Sequence, residues 1–129
     1  MPAVASKSQL VRTYIERVVN KRDLAAVDEM VAPDYQGTGD KWPADVSELL
    51  AFYEWQASAR PDWHIDIQDT LEVGDCVIVH ALAGGTLGRD DAGVPIAAPM
   101  TERVEWLAAY WVHAGFISRI EVLELIGSE

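Results

Sequence analysis

Helical patterns fill the first half of this chain and strand patterns the second, with Arg60-Pro61-Asp62 at the join. That order limits the folds open to it, because a sheet made late in the chain must bury one face under helices made earlier. A sheet that bends around such helices makes a cone with a hollow at its centre. That hollow is the first place to look for function.

Helix one begins after Ser6, which stands at capping-box spacing from Gln9. Leu10, Val11, Tyr14, Ile15, Val18 and Val19 then recur at helical spacing, with Arg12, Glu16, Arg17 and Lys21 on the other face. Asp23 is placed to cap a second short helix carrying Leu24, Val27, Met30 and Val31, and Pro33 stops it. Residues 37–43 read as a loop. Asp45 and Glu48 repeat the capping-box spacing ahead of Val46, Leu49, Leu50 and Tyr53, the apolar stripe of helix three.

Four strands are expected after the join, over 63–70, 76–83, 101–112 and 116–126. Gly74-Asp75 and His113-Ala114-Gly115 are turns, and residues 84–99 read as a long Gly-, Asp- and Pro-rich connection. Strand two, Cys76-Val77-Ile78-Val79-His80-Ala81-Leu82-Ala83, is apolar on both faces, and strand three is nearly so. Such strands are covered on both sides, and three helices cover only one. The second cover is expected to be another copy of the chain, making a homodimer through the sheet; a heavily twisted, self-covering sheet is the alternative.

At 129 residues, half of them apolar, the chain is expected to be one domain, 1–129. A net charge of −11 argues against binding to nucleic acid or to an anionic membrane surface. The single cysteine, Cys76, allows no internal disulfide and reads as an inert thiol in an apolar run. No signal-length apolar stretch opens the chain and no run reaches membrane-spanning length, so a cytoplasmic location is expected.

Several short runs carry a family resemblance. Leu10-Val11-Arg12-Thr13-Tyr14-Ile15-Glu16, Asn20-Lys21-Arg22-Asp23-Leu24 and Val31-Ala32-Pro33-Asp34-Tyr35 are similar to the opening of SnoaL-like polyketide cyclases, within the nuclear transport factor 2-like superfamily. Arg60-Pro61-Asp62-Trp63, Gly74-Asp75-Cys76-Val77, Gly85-Thr86 and Gly115-Phe116-Ile117 continue it over most of the chain. The resemblance implies an α+β fold: a cone-shaped barrel of a strongly bent, mainly antiparallel sheet enclosing three N-terminal helices, cystatin-like in architecture, with a deep apolar pocket. Its members include cyclases, isomerases, epoxide hydrolases, dehydratases and non-catalytic binding subunits. This chain departs from them at Leu87, where many relatives carry histidine, and over Arg119-Ile120-Glu121-Val122-Leu123-Glu124, where many carry His-Trp and an acid. Tyr14 matches the helix-one tyrosine of ketosteroid isomerases, whereas Ala108 falls near the position of their strand acid.

The resemblance also suggests which side chains face the pocket: Ile78, His80 and Leu82; Trp106, Ala108 and Tyr110; Ser118, Ile120, Val122 and Glu124. A one-residue slip or a bulge reverses any such parity. His80 interrupts an apolar strand and reads either as a general acid or base or as a satisfied core histidine. Glu124 can orient it or act alone, or it is an exposed terminal residue. The Tyr14 hydroxyl can hydrogen-bond a developing enolate, or the ring is plain packing. Asp40, between helices two and three, is either a base or an ordinary turn residue.

Five tryptophans are many for this length. Trp42, Trp63, Trp106 and Tyr110 are candidate substrate-binding walls, while Trp111 has the opposite parity and belongs to the dimer face. Glu102, Arg103 and Glu105 with Arg119 and Glu121 read as cross-strand or dimer ion pairs. No metal-ligand spacing, phosphate loop, dinucleotide fingerprint or nucleophile elbow is present, so no metal and no cofactor are expected. The expected function is cofactor-free acid/base chemistry on a small apolar carbonyl compound, of cyclase, isomerase or dehydratase type. The alternatives are a non-catalytic binder of small hydrophobic ligands, or a dimerisation module whose interior is filled by Trp and Tyr.

Overall fold

The computed structural model describes residues 6–38, 42–90 and 92–128. Helix α1 spans Lys7–Tyr14, and the Ser6 hydroxyl caps it by accepting the Gln9 N–H at 3.0 Å. The chain continues as a π-helical segment, Ile15–Asn20, whose wider turn is closed by Lys21 N–H to Glu16 O at 2.9 Å. Arg22 at φ 56° ends it. Its guanidinium donates to the carbonyls of Asn20, Pro61 and Trp63, tying this turn to the join.

Helix α2 is Ala25–Met30. Asp23 does not cap it with its side chain as expected, because its carboxylate is taken by the Arg17 guanidinium at 2.7 Å. Helix α3 is Val46–Ala59, and here the Asp45 carboxylate accepts the Glu48 N–H at 2.8 Å, as the spacing predicts.

Five strands form one open sheet in the order β1-β5-β4-β3-β2. They are β1 Val31–Thr38, β2 His64–Val73, β3 Cys76–Arg89, β4 Pro95–His113 and β5 Phe116–Ser128. β1 runs parallel to β5, and every other pairing is antiparallel. The mainly antiparallel sheet and its N-terminal helices match the expected class, but β1 and β2 are edges and the sheet does not close.

Two strand assignments differ from expectation. β1 was hidden by Pro33 and Gly37, which read as breakers; an edge strand tolerates both. Gly37 is there because a Cβ would sit 1.8 Å from the Pro43 carbonyl oxygen. The connection over 84–99 is instead a ladder: Gly84 pairs with Arg103 and the pairing runs on to Arg89 with Pro95. Its glycines serve close approach, since a Cβ on Gly85 would lie 2.9 Å from the Trp63 Cα. Asp62 fixes that approach by accepting the Thr86 N–H and hydroxyl at 2.7 and 3.0 Å, and these bonds hold its carboxyl below the usual carboxylate range.

The helices cover one face of the sheet. Val77, Val79, Ala81 and Ala83 of β3 face them, opposite Tyr110, Ala108, Trp106 and Val104 of β4. Val79 is fully buried, worth about 1.5–3 kcal/mol of transfer free energy. Ile78, His80 and Leu82 therefore project from the other face, reversing the expected parity of β3. On β5, bulges opposite Trp111/Val112 and Leu107/Ala108 shift the alternation twice. Ile117, Ile120 and Val122 pack on the core, whereas Glu124 comes to lie opposite Leu107, on the outer side.

Candidate functional site

The covered face gathers phenols. Tyr14 from α1 and Tyr53 from α3 are both buried, and their hydroxyls meet at 2.8 Å, either one able to donate. Tyr110 of β4 packs edge-on against Tyr14 at 6.3 Å, and Trp106 edge-on against Tyr110 at 6.0 Å. On the α3 side, Phe52 lies 5.6 Å from Tyr53 and Trp42 5.3 Å from Phe52. The Trp42 indole N–H donates to the Tyr35 hydroxyl at 2.9 Å. The result is a run of rings from Trp42 to Trp106 with hydroxyls at its middle.

Burial sets the chemistry of these hydroxyls. It pushes Tyr14 well above the ordinary tyrosine value, with the neighbouring Tyr53 adding to the shift. Tyr53 and Tyr110 are raised by the same cause. Burial raises Tyr35 to about 12, partly offset by the Trp42 N–H. All four stay protonated near neutrality, so they are hydrogen-bond donors and not bases. Among the described residues no polar or charged residue other than these tyrosines is counted in the buried core.

A groove of about 440 Å³ lies outside the sheet's core, between α1 and edge strand β2, lined by Arg12, Thr13, Glu16, Asn20, His64 and Asp66 among others. The Asn20 amide closes one end of it, donating to the Ile65 carbonyl at 2.9 Å and accepting the Ile65 N–H at 2.8 Å, and so blunts the β2 edge. A hollow of about 10 Å³ borders Tyr53, Gln56, Arg60 and Trp63 and has room for about one water.

The structure brings Tyr14, Trp42, Trp106 and Tyr110 of the expected site together. His80 is not with them: it projects from the outer face, its Nε2 2.6 Å from the Glu105 carboxylate. Glu124 is exposed on that outer side as well. Asp40 lies outside the described residues. Trp63 is half-buried beside the join, under the Arg60 guanidinium at 5.4 Å, which also stacks on Trp55 at 4.8 Å and pairs with Glu102 at 2.5 Å. Of the expected cross-strand ion pairs, Glu102 thus goes to α3 and Glu105 to His80, while Arg119 lies 4.5 Å over Trp111.

Tyr53 is what the sequence reading passed over. It stands on the apolar stripe of α3, and a phenol on a buried stripe must find a partner for its hydroxyl. Among the described residues no cluster of metal-ligating side chains occurs, and no helix is long and apolar enough to cross a membrane.

Comparison with known proteins agrees with this architecture. The model of the SnoaL-like domain matches residues 11–120. The probable cyclase otaY of Aspergillus niger is 31% identical over 78 residues, which is 60% of this chain and 66% of that protein. The chain thus spans just under two thirds of that relative's length. Among solved structures, TsrD from Streptomyces laurentii superposes with a TM-score of 0.79 at 16% identity, covering 96% of this chain and 91% of that one. A SnoaL-like polyketide cyclase from Agrobacterium tumefaciens superposes with a TM-score of 0.77 at 11% identity, covering 95% and 92%. At such identities these two show the fold alone. With the family match spanning most of its length, this chain belongs to the SnoaL-like domain family.

Proposed function

We propose that this SnoaL-like domain takes a small apolar carbonyl compound against its ring-lined interior and polarises the carbonyl oxygen with the Tyr14–Tyr53 hydroxyl pair. The observation that carries the reading is the 2.8 Å contact between two buried phenols. One proton is spent in the link; the other is the one a ligand oxygen seated beside the pair would take up. Because burial keeps both protonated, the spare donor is available to a developing enolate oxygen, a contact worth roughly 3–4 kcal/mol in a dry site. Cyclisation, isomerisation and dehydration beside a carbonyl share that enolate and need no cofactor for it. Trp42, Phe52, Trp106 and Tyr110 offer ring faces and edges suited to a flat apolar body.

Removing the proton is a separate task. Protonated phenols are poor bases, and His80 and Glu124 stand on the opposite side of the sheet. Binding without turnover is therefore a second reading, favoured by the lack of a carboxylate or imidazole among the described buried residues.

The test is titration with β-naphthol, followed by quenching of tryptophan fluorescence. Saturable binding is expected, about tenfold weaker in Tyr14→Phe and in Tyr53→Phe through loss of one hydrogen bond, and unchanged in His80→Gln. Equal affinity in the phenylalanine variants, or no saturable binding, overturns the proposal. Deuterium uptake next to the carbonyl of β-tetralone separates the two readings: exchange above the solvent rate means proton transfer, none means a binding protein.

A further inference from the structure

Three of the four buried phenols spend their hydroxyls within the protein. Tyr14 and Tyr53 bond each other at 2.8 Å, and Tyr35 accepts the Trp42 indole N–H at 2.9 Å. Tyr110 differs. Its side chain is nearly all buried, at 2% exposure, yet among the described residues no hydrogen bond reaches its hydroxyl. Burial, then the nearby Tyr53 and Tyr35, hold it well above the ordinary tyrosine value, and no hydrogen bond contributes.

Its place in the sheet accounts for the shortage. Tyr110 stands on β4 between Val77 of β3 and Ile120 of β5, whose side chains are apolar and buried. Tyr14 and Trp106 hold its ring edge-on from 6.3 and 6.0 Å, and a fixed ring fixes the oxygen at its tip. A buried hydroxyl with no partner is destabilising, and phenylalanine would fill the same place without that cost. Among the described residues every fully enclosed side-chain nitrogen or oxygen has a partner. The Tyr110 oxygen has none, so it is not sealed in: it opens on space that admits a group at least the size of water.

We infer, building on the site proposed above, that Tyr110 is a specificity-determining residue whose hydroxyl donates to a second, neutral oxygen of the ligand while the Tyr14–Tyr53 pair takes the first. The ligand class is then a flat apolar compound with two oxygens, the second a carbonyl, ether or ring hydroxyl. A carboxylate or an ammonium group does not fit, because among the described residues no charged side chain lies in the buried core to balance it. A site built to bond an oxygen discriminates against the analogue that lacks it, since the donor is then left stranded.

Urea unfolding tests the hydroxyl without any ligand. Tyr110→Phe is expected to raise the unfolding midpoint, whereas Tyr14→Phe lowers it by stranding the Tyr53 hydroxyl. A lowered midpoint in Tyr110→Phe means that the hydroxyl is already bonded within the protein, and overturns the inference. Tryptophan quenching by 1,3-, 1,6-, 2,6- and 2,7-dihydroxynaphthalene, each of which keeps a β-hydroxyl, tests the recognition against β-naphthol. At least one diol is expected to bind the wild type about fivefold tighter than β-naphthol. That gain is expected to vanish in Tyr110→Phe, with the affinity for β-naphthol itself unchanged. A gain that survives in Tyr110→Phe, or no gain with any diol, overturns the inference; the latter leaves the hydroxyl to water alone. The Tyr14–Tyr53 reading fails separately, on equal affinity for β-naphthol in the wild type and Tyr14→Phe.

Discussion

The two faces of the central strands are built from alternate residues of the same segments, yet they solve different problems. The inner face of β3 and β4 carries Val77, Val79, Ala81, Trp106, Ala108 and Tyr110, all buried, and its polarity is confined to hydroxyls that bond each other or sit among rings. The outer face carries Ile78, Leu82, Leu107 and Trp111, only partly covered, and its polarity is a hydrogen-bonded pair, the His80 imidazole with the Glu105 carboxylate, whose side chains are 39 and 44% exposed. Phenols inside and a carboxylate outside is the division that desolvation dictates, since a charge costs far more to bury than a phenol. The lesson for function is that a histidine in an apolar strand need not belong to the interior when both faces of the strand are apolar.

The sharpest way to break the comparison is to place one charge on each face. Val79→Asp is expected to cost roughly 3–5 kcal/mol, because a carboxylate enters a site with no donor and no water. Ile78→Asp, one residue away, is expected to cost about 1 kcal/mol. Urea unfolding of the two variants decides it. Equal losses mean that the outer face is packed like a core within a single chain.

How much of this was legible beforehand depends on the range of the forces involved. The Ser6 and Asp45 caps were legible because a cap is a three-residue event. The failed cap at Asp23 was not, because Arg17, six residues back across the π-helical turn, competes for the same carboxylate. The parity of β3 was illegible because its pattern does not alternate, and the β5 bulge at Leu123 moves Glu124 outward without any local signal. β1 was read as loop, since Pro33 and Gly37 punctuate it and only its parallel pairing with β5 makes it a strand. Of the run of adjoining rings, Tyr14, Trp42, Trp106 and Tyr110 stood out by type and position. Tyr53 and Tyr35 did not, because a helix stripe or a post-proline segment shows nothing of the partner a hydroxyl finds across the core.

Alkaline titration sharpens the contrast next. All four tyrosines have raised folded-state values, against an ordinary value of 10.0, and burial is the leading cause for each. As pH rises past that value the unfolded chain releases phenol protons that the folded chain keeps, so stability is full below it and falls above it. The loss is about 1.4 kcal/mol per pH unit for each tyrosine held protonated. Tyrosinate absorbance is therefore expected to appear in one cooperative step together with loss of circular dichroism. Gradual ionisation near the ordinary value in a still-folded protein would mean that the phenols are open to water.

The smallest effect compares the two polar pairs directly. A double-mutant cycle on Tyr14→Phe and Tyr53→Phe isolates the inner pair, and one on His80→Gln and Glu105→Gln isolates the outer pair. The inner coupling is expected near 1 kcal/mol: the bond is neutral, but its partners are buried and each single variant strands a hydroxyl away from water. The outer coupling is expected below about 0.5 kcal/mol, despite the shorter 2.6 Å contact, because both side chains keep substantial solvent exposure and water competes for the bond. Added salt separates them further. It screens the solvent-exposed Glu105 carboxylate and leaves a phenol–phenol bond in the core unaffected. An outer coupling that equals the inner one and resists salt would mean that the His80–Glu105 pair is shielded from water.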